Sequence, residues 1–326
     1  MLGRAVGALI GLALGDALGM PTQMLDRARV TELYGVLDRF HPGPAENPIS
    51  PGQLAGTVTD DTEQAVILGR LLLEGGGTVD PHAFAAALAR WHADMEARGS
   101  LDLLGPSTLR AIRAFQGGVP VAETGRWGDT NGAAMRVAPL GIVYRPLPLQ
   151  DFVAHIAEAN ALTHNTRIAN AGAAAVGAAV SAGIDGAAIE DALEVAVEAA
   201  DLGAGHGHYT PGASVAHRIR WALSLASGPD PLGAIHALVG TSVATQEAVP
   251  AALAVVAVYA HDPWGGVCAA ASLGGDSDTV AAMAGAILGA VHGVDAFPPD
   301  TIAELETANA HLSLRALALD LMGIRR

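Results

Sequence analysis

The sequence LGGDSDTVAAMAGAILGA, residues 273–290, joins an acidic turn to a long run of small apolar residues. After Asp276 and Asp278, alanine, glycine and aliphatic residues follow one another with few polar interruptions, which favours a buried helix. The two aspartates lie where this helix is expected to begin, and free N–H groups favour carboxylates at that end. The stretch therefore predicts a closely packed helix that carries two carboxylates at its start.

The rest of the chain has a similar composition. Of its 326 residues, 51% are hydrophobic but only 4% are aromatic, and the mean hydropathy is +0.34. Alanine and glycine supply the difference, which is typical of helices packed through small faces and leaves little of the enrichment that strands need. We expect a compact all-α, multi-helix bundle forming a single domain over residues 1–326. Helices are expected over residues 2–18, 60–74, 80–97, 102–116, 131–144, 148–162, 165–182, 185–201, 212–227, 244–260, 263–272, 277–292 and 300–322.

Several functional classes are excluded by composition. The formal net charge is −15, so nonspecific attraction to nucleic acid or to an anionic membrane is not expected. The chain contains no lysine, which removes Schiff-base chemistry and a P-loop. Cys268 is the only cysteine, so a disulfide framework is excluded and a cytoplasmic protein is expected. We expect no membrane-spanning segment, and interpret residues 5–14 as part of a buried first helix.

A second acidic cluster, Thr59-Asp60-Asp61-Thr62, opens another apolar helix much earlier in the chain. Either cluster alone is readily explained as a helix cap. Together they supply four carboxylates with flanking hydroxyls, and adjacent carboxylates repel unless a cation or solvent compensates. Oxygen ligands favour Mg²⁺, Mn²⁺ or Ca²⁺ over Zn²⁺. The two clusters therefore predict one shared site for hard divalent cations.

At these residues the chain resembles the ADP-ribosylglycohydrolases, a family that includes the glycohydrolase acting on dinitrogenase reductase. The resemblance covers nearly the whole chain, and its motifs occur in the family's order. They are GLALGDALGMP at 11–21, TDDTEQAV at 59–66, GDTNGAAMRVAPLG at 128–141, THNTRIA at 163–169 and LGGDSDTVAAMAGAILGA at 273–290.

The resemblance implies the all-α fold of that family and a centre of two Mg²⁺ or Mn²⁺ ions. The ligands would be Thr59, Asp60, Asp61, Asp276, Asp278 and Thr279, with Asp278 between the ions. Asp16 is similar to the family's N-terminal aspartate, and we interpret it as a buried structural residue that accepts helix N–H bonds. Many members carry a glutamate where this chain has Gln23. An amide ligates through oxygen but cannot act as a base, so a different substrate is possible.

Other residues of these motifs are candidates for substrate contacts. Asn131 and Gly132 precede an expected helix, where N–H groups and short polar side chains suit a phosphate or a ribose hydroxyl. By the resemblance, His164 would contact ribose or phosphate and Tyr209 would stack on a base. Arg136 is interpreted either as a phosphate partner or as a surface ion pair. Asp129 is a candidate for the general acid by position only.

The predicted reaction is metal-dependent hydrolysis of an N-glycosidic bond at the anomeric carbon of ribose. Asp60, Asp61 or Asp278 would help to deprotonate the attacking water. Removal of ADP-ribose from an acceptor such as arginine is the main hypothesis. The alternatives are hydrolysis of a small nucleoside or related N-riboside, and a non-catalytic, crystallin-like structural or metal-binding protein.

Overall fold

The computed structural model describes residues 1–35, 37–102 and 104–326, and within these residues it contains helices but no strand. Two isolated bridges, Thr130 with Ala244 and Thr166 with His208, are its only extended pairings in that range. The all-α prediction is confirmed. The helices are α1 (Leu2–Gly19), α2 (Arg27–Tyr34), α3 (Asp60–Glu74), α4 (Pro81–Ala97), α5 (Pro106–Gln116), α6 (Val121–Thr124), α7 (Gly132–Met135), α8 (Ala138–Val143), α9 (Leu149–Asn160), α10 (Arg167–Asp185), α11 (Ile189–Gly203), α12 (Val215–Leu225), α13 (Pro231–Ala234), α14 (Thr245–Val258), α15 (Pro263–Ala271), α16 (Ser277–His292), α17 (Pro299–Ala308) and α18 (Leu314–Gly323).

Helices α1 and α16 form the centre of the fold and touch backbone to backbone. A Cβ atom added to Gly7, Gly11 or Gly15 would lie between 2.0 and 2.3 Å from a carbonyl oxygen of α16. One added to Gly19 would lie 2.3 Å from the Cα atom of Asp278. Glycine at every fourth position of α1 therefore permits a contact that no larger side chain allows, and this contact sets the position of Asp278.

The remaining long helices surround this pair. The buried apolar residues form one continuous cluster that includes most of α1, α10, α14 and α16. Helices α1 and α10 have the length and apolar composition of a membrane span, but 83% and 94% of these stretches are buried inside the protein. Both therefore serve as core helices of the bundle.

The structure departs from the predicted helices at three breaks. Helix α5 begins at Pro106 rather than at residue 102, because proline suits the first turn and disfavours helix at the preceding residue. Leu103 falls in this predicted helix but lies outside the described residues. Pro139, in the first turn of α8, separates α7 from α8. Ser313, at a φ of 55°, separates α17 from α18. The short helices α2, α6 and α13 were not predicted.

The fold brings three helix ends together. The C-terminal half of α1 packs on the first turn of α16, and the first turn of α3 lies beside both. The two acidic clusters begin α3 and α16, so this packing gathers them at one end of the central pair. The candidate site lies there.

Candidate metal-binding active site

A cavity of about 250 Å³ opens beside the starts of α3 and α16. Residues from α5, α7 and several loops, among them the one that follows α1, complete its lining. Most of the predicted site residues face it together, although they come from distant parts of the sequence. These residues are Gln23, Asp60, Asp61, Asn131, Gly132, His164, Asp276, Asp278 and Thr279.

Asp16 holds the first acidic cluster in place through hydrogen bonds to Thr59 and Thr62. Its fully buried carboxylate accepts hydrogen bonds from the backbone N–H of Thr59 at 3.0 Å and of Thr62 at 3.0 Å. It also accepts the hydroxyl protons of both threonines, at 2.7 and 2.5 Å. Asp16 is thus the structural residue that we expected. Thr59 itself does not line the cavity, and its hydroxyl proton is directed to Asp16.

The four carboxylates of the two clusters lie close together in a largely buried site. They belong to Asp60, Asp61, Asp276 and Asp278. Burial raises the pKa of Asp60 to about 8, with smaller contributions from Asp16 and Asp276. Burial also raises the pKa of Asp61 and of Asp278 well above the ordinary value, and the neighbouring carboxylates add to it. Without a compensating positive charge, the site therefore retains protons near neutral pH.

The carboxyl oxygens have the chemistry of a hard-cation site. Asp61 Oδ2 and Asp278 Oδ1 are buried and accept no hydrogen bond, which leaves two acceptor atoms in this cavity without a partner. Thr279 Oγ1 donates to the other oxygen of Asp61 at 3.3 Å. In the described part of the chain no group of three His, Cys, Asp or Glu side chains is arranged to hold a metal ion. Carboxylate and hydroxyl oxygens are nevertheless the type of ligand that Mg²⁺ and Mn²⁺ prefer.

Two of the predicted substrate residues make hydrogen bonds within the site. Asn131 donates its side-chain amide to Asp276. His164 Nε2 lies 3.1 Å from Thr130 Oγ1, and its Nδ1 lies 2.9 Å from Thr163 Oγ1. Burial, and then the nearby Arg136, hold the pKa of His164 well below its ordinary value. The imidazole is therefore neutral at physiological pH.

Arg136 corrects both interpretations made from the sequence. It is 1% exposed, so it forms no surface ion pair, and it does not line the cavity. Its guanidinium donates to Gln64 Oε1 at 2.8 Å, and Gln64 Nε2 in turn donates to Asp60 Oδ2 at 2.7 Å. A second bond reaches Thr163 Oγ1 at 2.5 Å. Arg136 therefore supports Asp60 through Gln64 and His164 through Thr163, and its side chain does not reach the cavity.

Two other predicted residues lie away from the cavity. Asp129 is exposed, and only its backbone is engaged, where the carbonyl oxygen accepts from Thr245 Oγ1 at 2.7 Å. Tyr209 is 69% exposed and does not line the cavity. The expectations that Asp129 supplies the acid and that Tyr209 stacks on a base are not met in this arrangement, because both residues are exposed and neither lines the cavity.

Asp102 is a site residue that the sequence analysis missed. It is 3% exposed and lines the cavity, and its Oδ2 has no hydrogen-bond partner. Burial raises its pKa well above the ordinary value, and the charge of Asp60 adds to this. Asp102 stands in no acidic cluster. The one signal was an aspartate inside the apolar segment LDLLG, residues 101–105, where a lone carboxylate has no structural purpose.

Comparison with known proteins agrees with this geometry. The model of the ADP-ribosylglycohydrolase family matches residues 1–326. YegU, an uncharacterized protein of Escherichia coli K12, is 39% identical over 94% of this chain and 92% of its own length. The ADP-ribosyl-[dinitrogen reductase] glycohydrolase of Rhodospirillum rubrum is 29% identical, over 93% of this chain and 90% of its own. A solved ADP-ribosylglycohydrolase-related protein complex superimposes with a TM-score of 0.76 at 27% identity, covering 100% of this chain and 99% of the other. With the family's motifs gathered around one acidic cavity and its model matched from end to end, the chain belongs to the ADP-ribosylglycohydrolase family.

Proposed function

We propose that the protein is a divalent-cation-dependent hydrolase that removes ADP-ribose from a modified acceptor, with arginine as the first acceptor to test. The observation that carries this proposal is the pair of unpartnered oxygens, Asp61 Oδ2 and Asp278 Oδ1, in a cavity of buried carboxylates. Buried acceptors without a partner are costly, and cations of the Mg²⁺ or Mn²⁺ class would satisfy both. The relative from Rhodospirillum rubrum, which acts on ADP-ribosyl-dinitrogen reductase by its name, supports the substrate class.

The proposed ligands are the cluster residues that line the cavity, Asp60, Asp61, Asp276, Asp278 and Thr279, whereas Thr59, whose hydroxyl bonds to Asp16, is left out of the set. Bound cations would supply polarisation of the ribose oxygens and a water of lowered pKa. The chain's own part is to hold these carboxylates in place, through Asp16 on one side and through Arg136 and Gln64 on the other. The positive guanidinium of Arg136 also offsets part of the charge at Asp60.

The bond changes assign further roles to the cavity. In the hydrolysis, the water oxygen bonds to the anomeric carbon, the carbon–nitrogen bond breaks, and the leaving nitrogen takes a proton. The attacking water supplies that proton overall, and Asp102 is our candidate for the residue that faces the leaving group, because its Oδ2 is buried and lacks a partner in the same cavity. His164 is neutral and hydrogen-bonded to two hydroxyls, which suits a ribose or phosphate oxygen better than it suits proton transfer.

A single substitution tests the cation assignment. Asp278→Asn should lower Mn²⁺-dependent release of ADP-ribose from ADP-ribosyl-arginine by about a hundredfold or more, since it removes one electrostatic contact made during reaction. Asp320→Asn, an exposed aspartate of α18, is the matched control and should retain full activity. Circular dichroism should show unchanged helicity in both variants. Near-normal turnover by the Asp278→Asn protein would refute the assignment.

Hydrolysis of a small N-riboside is the second candidate, and the size of the cavity favours it. About 250 Å³ is below the roughly 300–1,000 Å³ of common ligand sites, so ADP-ribose would have to extend through the mouth. Ile49, from the proline-rich loop over residues 40–56, contributes to the lining and narrows the cavity. A panel of nucleosides tested beside ADP-ribosyl-arginine distinguishes the two candidates. Stability in EDTA with no turnover of either class would favour a non-catalytic protein.

A further inference from the structure

Four buried polar atoms in the cavity lack a hydrogen-bond partner, and cations account for only two of them. Asp61 Oδ2 and Asp278 Oδ1 belong to the proposed cation ligands. Gln23 Nε2 and Asp102 Oδ2 remain. Both side chains line the same cavity and are at least nine-tenths buried, at 5% and 3% exposed. A buried donor and a buried acceptor in one small cavity require a partner that the protein does not provide.

The backbone at Gln23 is held in place by hydrogen bonds. Its N–H donates to the carbonyl of Gly19 at 2.9 Å, and its own carbonyl accepts from Asn47 Nδ2 at 2.8 Å. The next residue, Met24, has a φ of 61° and donates its N–H to the carbonyl of Gly275 at 2.5 Å. The backbone of residues 23 and 24 is therefore hydrogen-bonded to α1, to the loop that carries Asn47, and to the turn before the second acidic cluster. The side-chain amide is presented from a defined place.

The backbone of Asp102 is held by a local turn. Its backbone N–H donates to Ser100 Oγ at 3.0 Å, and Ser100 Oγ donates back to the carbonyl of Asp102 at 3.3 Å. Its carboxyl oxygen Oδ2 is buried and has no hydrogen-bond partner. The cavity thus offers a donor and an acceptor on two buried side chains whose backbones are held by hydrogen bonds.

The complement of these two atoms is a ligand that brings both an acceptor oxygen and an N–H into the cavity. A carboxamide or a ring lactam has both, so its carbonyl would accept from Gln23 Nε2 and its N–H would donate to Asp102 Oδ2. A guanidinium group carries donors only, so Gln23 Nε2 would stay without a partner. A glutamate at this position would reverse the preference, because a carboxylate accepts a guanidinium in a bidentate pair.

We infer that Gln23 and Asp102 form a recognition pair for an amide or lactam group on the leaving part of the substrate. The inference rests on the proposed N-glycosidic hydrolysis. It favours the second candidate, hydrolysis of a small N-riboside, over an arginine acceptor, and it narrows that class to N-ribosides whose leaving group contains an amide or a lactam. Gln23 is in this proposal a specificity residue and not a cation ligand.

Two purine ribosides test the inference. Inosine has a lactam in its base, and purine riboside lacks that carbonyl and its N–H. We expect the Mn²⁺-loaded protein to bind inosine about tenfold more tightly, measured by titration calorimetry, because the second ligand leaves buried groups unpaired. Gln23→Met, which keeps the length of the side chain, should abolish the ratio while leaving the affinity for Mn²⁺ unchanged. Gln23→Glu should raise the binding of ADP-ribosyl-arginine relative to inosine.

The outcomes separate this inference from the proposed function. An equal affinity for the two ribosides in the unsubstituted protein overturns the inference. So does a loss of Mn²⁺ affinity in Gln23→Met, because Gln23 would then be a cation ligand. A ratio that depends on Gln23, without release of any base, supports the recognition pair and counts against the hydrolase. Release of base without any preference for the lactam supports the hydrolase and rejects the pair.

Discussion

The contact between α1 and α16 predicts a large cost for adding a single methyl group at Gly15. The Cβ atom of an alanine there would lie 2.0 Å from the carbonyl oxygen of Ala281, against an ordinary contact of at least 3.4 Å. The colliding group is backbone in the middle of a core helix, so it cannot rotate away. To restore an ordinary contact, the two helices must move apart by about 1.4 Å, the difference between these distances.

The change in the free energy of unfolding for Gly15→Ala is the sum of two opposing contributions. Overpacking a tight core costs about 1–3 kcal/mol or more, and we expect the upper end because the obstacle is backbone. Alanine recovers about 1 kcal/mol of helix propensity relative to glycine. The net loss in the free energy of unfolding for Gly15→Ala should therefore be about 2 kcal/mol or more.

The assay is urea denaturation followed by circular dichroism, with Gly3→Ala as the matched control. Gly3 lies in the same helix but has nothing within 4 Å of its added Cβ, so this substitution should be neutral or stabilising by up to about 1 kcal/mol. Gly15→Ala should also weaken Mn²⁺ binding, since Asp16 and the start of α16 move with the helices. Equal midpoints for both variants would refute the role given to the backbone contact.

Two further predictions concern the buried carboxylates. Because burial raises the pKa of Asp60 from its ordinary 3.8 to about 8, its protonated form favours the folded state. If Asp60 alone is considered, the free energy of unfolding of the metal-free protein should be highest below about pH 4. It should fall as the pH rises from there through 8. Saturating Mn²⁺ should flatten that decline in thermal melts at successive pH values, and an unchanged slope would contradict it. Asp16→Asn should cost about 1.5–3 kcal/mol in urea denaturation, because it replaces a charged acceptor by an amide facing the N–H and hydroxyl groups of Thr59 and Thr62. A variant as stable as the unsubstituted protein would show that Asp16 is not the anchor.

The sequence predicted the parts of the fold that local patterns encode. The apolar runs that begin at residues 2, 60 and 277 correspond to α1, α3 and α16, because each has helical spacing and the last two also have an acidic first turn. The break between α17 and α18 could not be predicted in this way. Asn309, just after α17, accepts from the N–H of Val58 and donates to the carbonyl of Gly56, and these partners are distant in the chain.

The same limit applies to the candidate site. The clusters at Asp60 and Asp278 were recognisable because paired carboxylates at helix starts are uncommon, and the fold does bring them to one cavity. Asp102 escaped notice because it belongs to no acidic cluster, and its apolar sequence surroundings are only a weak signal. The burial of Arg136 and the exposure of Tyr209 depend on which way a loop or short helix turns, and only tertiary packing determines that direction.

Asp16 has a consequence for how quickly and how tightly the protein can respond to cations. Its carboxylate already engages the N–H and hydroxyl groups of Thr59 and Thr62, and these bonds fix the first turn of α3 without help from any ligand. The conformational entropy of ordering that turn is therefore lost during folding rather than during binding. A cation that binds displaces protons from the cluster, so its affinity should depend on pH. Its rate of association should not be limited by a rearrangement of the chain.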